Sequence, residues 1–164
     1  MRNDRMAVPH FYGLSFLDFV RPRDILMKKT EGIAMTIEER AEFAASQKEN
    51  GLCNCCQAVL TALEDQTGLQ AETLMPLGSG FAVGMGNMEA TCGALIGAVL
   101  AAGMKLGGQG TVRYARRLSD SFRERCGAAI CKELKGVGTG AVLCPCPDCV
   151  RNAVRCYGEI VGLE

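Results

Sequence analysis

Ten cysteines in a 164-residue chain constrain this sequence more than any other feature, because thiols in such number form a disulfide framework, ligate metal or carry redox chemistry. Disulfide frameworks hold together short secreted chains with thin cores. Here 48% of the residues are apolar, which is enough for one domain with a core of its own. The opening Met-Arg-Asn-Asp-Arg is followed by an apolar run, Phe11 to Val20, broken by Ser15 and Asp18. That is not the pattern of a secretory signal, so a reducing cytoplasmic setting is expected. Metal or redox chemistry is then the expectation for the cysteines.

Partner classes narrow next. Lys plus Arg equals Asp plus Glu, 18 against 18, so no overall field draws the chain to nucleic acid or to an anionic membrane. The longest apolar run, Ala94 to Met104, has about half of the ~20 residues a membrane span needs and contains Gly97 and Gly103. With no Trp and three Tyr, a stacking platform for single-stranded nucleic acid is also excluded. The expected partner is a redox protein, with no nucleic acid and no membrane insertion, and a homodimer is left open.

Patterning predicts an all-α fold, a compact bundle of about five to six helices with Gly-rich loops. Residues 1–34 read as an N-terminal arm that holds the one histidine, His10, and a weak helical pattern from Ser15 to Lys28. Residues 35–164 read as a single helical cysteine-rich redox domain. Thr36-Ile-Glu-Glu39 is a capping box that starts a helix to about Lys48. Asn54 with Gln57 caps a second helix from Cys55 to about Thr67, closed by Gly68. A short helix over Ala71 to Leu77 is expected to stop near Pro76.

Four glycines in residues 78–88, Gly78, Gly80, Gly84 and Gly86, predict a loop that allows unusual dihedrals or close backbone approach. It matches neither a P-loop nor a clean GxGxxG, and no strand precedes it. Thr91 is expected to cap an apolar helix from Cys92 to about Lys105. Gly93, Gly97 and Ala101 form a small-residue stripe on that helix, which lets a neighbour approach closely, so it is the predicted central helix. A basic amphipathic helix over Thr111 to Arg125, a short one over Ala128 to Lys135, a Gly-rich loop over 136–142 and a last helix from Pro147 to Ile160 complete the pattern. The arginines of the basic helix, Arg113, Arg116, Arg117, Arg123 and Arg125, read as a solvated face, with Asp120 and Glu124 among them. No alternating strand is found.

Three cysteine positions share a physical setting: Cys55 and Cys92 follow capping residues, and Cys146 precedes Pro147 at the start of the last helix. First-turn thiols face unpaired backbone N–H groups and the positive end of the helix dipole, which favours thiolate. Several thiolates gathered together repel one another unless a cation or cluster offsets their charge. Spacing decides less. Cys144-Pro-Cys146-Pro-Asp-Cys149 contains a C-x-C and a C-x2-C, compatible with zinc or iron–sulfur ligation but matching neither the ferredoxin nor the zinc-ribbon pattern.

Cys92-Gly-Ala-Leu-Ile-Gly97 reads CGAxxG, and the glycine loop Phe81 to Gly86 precedes it. Upstream stands Asn54-Cys55-Cys56-Gln57-Ala58-Val59, and downstream Cys131-Lys132-Glu133-Leu134. Over roughly residues 40–160 the chain thereby resembles a family of redox-active proteins named for the pattern C_GCAxxG_C_C, small bacterial and archaeal proteins with four shared cysteines. The resemblance places those four at Cys55, Cys92, Cys131 and Cys146. The last is set by Val150 and Ala153 four and seven residues on, with Cys149 as its rival. The chain departs from the family pattern in its N-terminal arm and in six further cysteines, which leaves open a second centre or a site that uses Cys56, Cys126 or Cys149 instead.

The resemblance implies a redox role and relatives similar to the iron–sulfur part of split-Soret cytochromes. The leading expectation is therefore an iron–sulfur cluster, [2Fe–2S] or [4Fe–4S], held by those four cysteines for electron transfer or redox sensing. Gly84, Gly86 and Gly93 are expected to line the cofactor. Zinc ranks lower, and with no C-x-x-C-H present covalent haem is not expected. The alternative is a cofactor-free thiol-disulfide oxidoreductase, with Cys92 attacking and a second cysteine such as Cys55 resolving. For Cys126, Cys131 and Cys156, each taken alone, the plain expectation is a buried small hydrophobe.

Overall fold

The computed structural model describes residues 35–163. The N-terminal arm, with His10 and the weak helical pattern at Ser15 to Lys28, lies outside the described residues. Eight helices and no strand are found among them: α1 (Ile37–Glu49), α2 (Cys55–Ala62), α3 (Glu64–Thr67), α4 (Ala71–Ser79), α5 (Gly93–Lys105), α6 (Thr111–Cys126), α7 (Cys131–Leu134) and α8 (Cys146–Val161). The all-α expectation holds. The count exceeds the expected five to six because α3 and α7, four residues each, are separate turns. None of these helices is long and apolar enough to cross a membrane.

Both capping boxes form as the sequence predicts. Thr36 accepts from the Glu39 N–H, while the Glu39 carboxylate accepts from the Thr36 N–H at 3.0 Å. Asn54 accepts from Cys56 and Gln57, and the Gln57 carbonyl accepts from the Asn54 N–H at 3.0 Å. The expected single helix from Cys55 to Thr67 is interrupted at Leu63, whose φ of −109° is outside the helical range. Gly68 then closes α3 with φ 71°, the left-handed turn that glycine adopts at no steric cost.

Pro76 does not end its helix: α4 runs past it to Ser79. The reason is supplied from outside the helix. The side-chain amides whose oxygens cap α2 use their nitrogens on α4: Gln57 Nε2 donates to the Met75 carbonyl at 2.8 Å, and Asn54 Nδ2 to Gly78 and Ser79 at 3.1 and 3.2 Å. These bonds satisfy carbonyls that the end of a helix leaves unpaired.

Thr91 is not the cap of α5. Cys92 itself stands at the N-cap, while Thr91 pairs with Ile130 in an isolated antiparallel bridge. In this bridge region the Cys92 N–H donates to Ala129 at 2.8 Å and the Cys131 N–H to Ala90 at 3.0 Å. The bridge fixes the start of α5 beside the start of α7, and with them two of the cysteines.

The hub is shared by α5 and α8. Helix α5 packs on α2, α3, α6 and α8, and α8 on α1, α2, α5 and α6. Helix α8 buries Val150, Ala153, Val154, Cys156 and Tyr157, each large apolar side chain contributing roughly 1.5–3 kcal/mol. Small residues set the close approaches. A Cβ at Gly97 would stand 2.9 Å from the Cys56 carbonyl oxygen, so α2 fits against α5 only over glycine. Around the rim, Arg151 donates to Glu42 at 2.7 and 3.0 Å and Arg155 to Glu38, clamping α8 to α1. Arg40, 5% exposed, joins α1 to the α2–α3 junction by donating to the Ala62 carbonyl and to Asp65, both at 2.9 Å. The five arginines of α6 are all exposed, as a solvated face requires.

Candidate metal and redox centre

Every cysteine expected to form the site stands at the start of a helix. Cys55, Cys131 and Cys146 are the first residues of α2, α7 and α8, and Cys92 is the N-cap of α5. Cys55, Cys92 and Cys131 are buried and Cys146 is half-buried. Cys55 and Cys131 are each coupled electrostatically to Cys92 and Cys146, which puts the four in one neighbourhood.

Two glycines are built into this neighbourhood. A Cβ at Gly93 would meet the Phe81 carbonyl oxygen at 2.4 Å and the Cys55 Sγ at 2.6 Å. One at Gly84 would meet the Cys131 Cβ at 2.6 Å. The space around Gly86 is open, so its role is conformational: φ is 89° there. Val83, Met85 and Met88 also have positive φ, from 52° to 65°, a conformation that costs about 1–3 kcal/mol for non-glycine residues. The loop is held against that cost by Met88, whose N–H donates to Val83 and whose carbonyl accepts from Lys132, both at 2.9 Å.

Thiolate character does not follow helix position alone. Burial pushes the Cys55 thiol up to about 11, with the charges of Cys92 and Cys146 adding to it. Cys131 is raised for the same reasons, burial first. The expectation that first-turn thiols ionise readily is therefore corrected for these two, because removal from water outweighs the helix dipole. Cys92 behaves as expected. The Cys149 thiol beside it, and then the N–H groups of Ala94 and Leu95, bring it down to about 7 against the opposing effect of burial.

The tightest group of thiols is one that the sequence did not single out. The Sγ atoms of Cys126, Cys144 and Cys149 lie within 4.8 Å of one another, all buried. Cys126 is the last residue of α6, Cys144 precedes α8, and Cys149 lies one turn into α8. Hydrogen bonds from the Cys126 and Cys149 thiols hold Cys144 well below its ordinary value, and the same interactions raise Cys149. The Cys149 thiol also reaches Cys92, so Cys92 is where this trio meets the expected four. Lys135 Nζ donates to the Cys144 carbonyl at 2.8 Å and to Cys149 Sγ at 3.7 Å. Burial alone would lower its pKa, but the charges of Cys149, Cys146 and Cys92 raise it. Asn152 Nδ2 donates to Cys126 Sγ at 3.4 Å.

A sequence signal for the trio existed, since Cys126 is followed by a helix-ending glycine and Cys144 by a proline. Cysteines at the ends of elements, not inside them, are the ones free to converge. The remaining three are ordinary core residues. Cys53 touches the Met75 sulfur at 4.0 Å, Cys56 is fully buried, and Cys156 receives a hydrogen bond from the Ser121 hydroxyl at 3.3 Å.

A helical fold that gathers buried thiols around helix starts defines a small cysteine-rich redox protein. Residues 53–160 match the family model described as "Putative redox-active protein (C_GCAxxG_C_C)", and the chain belongs to that family. No curated protein and no solved structure matches it.

Proposed function

We propose that this chain holds an iron–sulfur cluster, [2Fe–2S] or [4Fe–4S], through Cys55, Cys92, Cys131 and Cys146, and serves electron transfer or redox sensing in the cytoplasm with a redox partner protein. The observation that carries this reading is the placement of all four at helix starts, with Cys92 and Cys146 acting electrostatically on the other two. Thiolates gathered in a buried setting repel one another, and a cationic centre removes that cost. The donor set fits: four thiols, with glycine at positions 84 and 93, where a side chain would collide with Cys131 and Cys55. When bound, the cluster supplies one-electron exchange. The chain's own residues would hold it, with Cys55, Cys92 and Cys131 buried away from water and Cys146 half-buried.

The test is anaerobic purification followed by iron and acid-labile sulfide analysis and visible spectroscopy. The protein should be brown, and Cys92→Ala should lose the colour. A colourless, iron-free protein under those conditions would refute the cluster.

One observation favours a second reading: the Cys92 thiol, brought down to about 7, suits a nucleophile near neutral pH. As a thiol-disulfide oxidoreductase, Cys92 thiolate would attack a substrate disulfide and release one substrate thiolate. A resolving cysteine, Cys149 in contact with it or Cys55, would then displace the second, leaving the substrate reduced and the chain oxidised. This reading requires activity from the iron-free protein that Cys92→Ala abolishes.

A further inference from the structure

We propose that Cys126, Cys144 and Cys149 form a second thiolate site that binds a single divalent ion of the zinc class, with ligands distinct from the first four cysteines and meeting them only where Cys149 touches Cys92. The span of the sulfurs carries the argument. A mononuclear tetrahedral site with metal–sulfur bonds of ~2.3 Å sets its thiolates ~3.8 Å apart, and these three lie within 4.8 Å of one another. A cluster whose thiolates sit on different irons spreads its ligand sulfurs wider than that.

The surroundings are those of a metal site. Exposure is 3% for Cys126, 4% for Cys144 and 0% for Cys149, so all three sulfurs are held away from water. The charges balance about one ion: three thiolates, one dication and the Lys135 ammonium, 3.7 Å from Cys149 Sγ, sum to zero. Outer partners are present for the ligands as well. Asn152 orients Cys126 at 3.4 Å, and Lys135 ties down the Cys144 carbonyl at 2.8 Å; groups in such positions tune metal affinity by about 10–100-fold. The ligands come from two helices and the segment between them, so the ion would pin the end of α6 to the start of α8. Sulfur-rich donor sets select zinc-class and other soft ions over magnesium or calcium.

The experiment uses the full chain, metal-free and reduced, carrying Cys55→Ala and Cys131→Ala so that the first four cysteines cannot compete. Titration with Co(II) should give one equivalent with the visible spectrum of a tetrahedral thiolate complex, displaced by Zn(II). Adding Cys144→Ser should abolish that equivalent, and adding Lys135→Met should weaken it by about 10–100-fold. An unchanged Co(II) equivalent in the Cys144→Ser protein would overturn the site.

If the added substitution prevents folding by circular dichroism, alkylation of the wild-type chain replaces it. Zn(II) should then protect Cys126, Cys144 and Cys149 together, and labelling of the three at the metal-free rate would overturn the site. Iron analysis of Cys144→Ser in the otherwise natural chain separates this proposal from the cluster. Iron should be retained, and its loss would assign Cys144 to the first centre and overturn a second one with its own ligands.

Discussion

Two glycines about 9 Å of helix apart should respond to the same substitution with opposite signs, at a rise of ~1.5 Å per residue between positions 97 and 103. Both lie within α5 (Gly93–Lys105), where replacing Gly by Ala lowers the backbone entropy lost on folding and gains up to about 1 kcal/mol. At Gly103 the new methyl would meet only Thr111 Cγ2, at an ordinary contact distance of 3.5 Å, so most of the gain should be kept. At Gly97 it would stand 2.9 Å from the Cys56 carbonyl oxygen and 3.0 Å from Val59 Cβ. A backbone oxygen cannot rotate away, and overpacking of this kind costs about 1–3 kcal/mol. Gly97→Ala should thus lose up to about 2 kcal/mol net, leaving a gap of about 2 kcal/mol between the variants, or roughly 4–8 °C in Tm at this chain length. Thermal melts of the metal-free, reduced proteins by circular dichroism would read it. Gly97→Ala melting at or above Gly103→Ala would refute the close approach of α2 to α5.

Tyr157 offers a pH test. Its hydroxyl is buried without a hydrogen-bond partner among the described residues, and burial, with Asp65 adding to it, pushes its pKa from 10 up to about 12. Above pH 10 the unfolded tyrosine ionises while the folded one keeps its proton, so this residue's contribution to stability falls from pH 10 to about 12. Tyr157→Phe should be neutral to about 1 kcal/mol more stable at pH 8, with an advantage that grows above pH 10 in urea titrations; a constant difference would refute the assignment. Arg40→Leu removes the Arg40 donor from the Ala62 carbonyl and from Asp65, whose side chain is 43% exposed and keeps its bond from Gln66, and should cost about 1–2 kcal/mol by urea unfolding, whereas an unchanged stability would show these contacts to be solvated. Cys156→Ala should leave iron content and colour unchanged, and bleaching would place Cys156 among the ligands.

Where a signal is local, it could be read from sequence. Thr36 with Glu39 and Asn54 with Gln57 are side chains three residues apart acting on their own helix ends, and both boxes form. The stripe of Gly93, Gly97 and Ala101 announced a close neighbour, which is α2 at Gly97. What escaped depends on residues far along the chain. Helix α4 outlasts Pro76 because Asn54 and Gln57, about twenty residues earlier, satisfy its carbonyls. Cys92 replaces Thr91 as the cap because Thr91 is drawn into a bridge with Ile130. Of the trio, Cys144 and Cys149 lie within the one C-x-C-x2-C run, but Cys126 joins them only when α6 packs on α8. The Cys55 thiol was misjudged because helix position can be read from a sequence and depth of burial cannot.

Helix α8 touches α1, α2, α5 and α6, and it is the last of the described helices to be synthesised. Until it emerges from the ribosome, α1 has no clamp for Glu38 and Glu42, and the thiols of α2 and α5 have no Cys146 or Cys149 to face. Sulfurs far apart in the chain can converge only after α8 has been made, so any metal held by these cysteines would be loaded after that helix emerges and not before it. A ribosome stalled before Cys146 would release a chain exposing a half-built core and unpaired thiols together, a marked substrate for quality control.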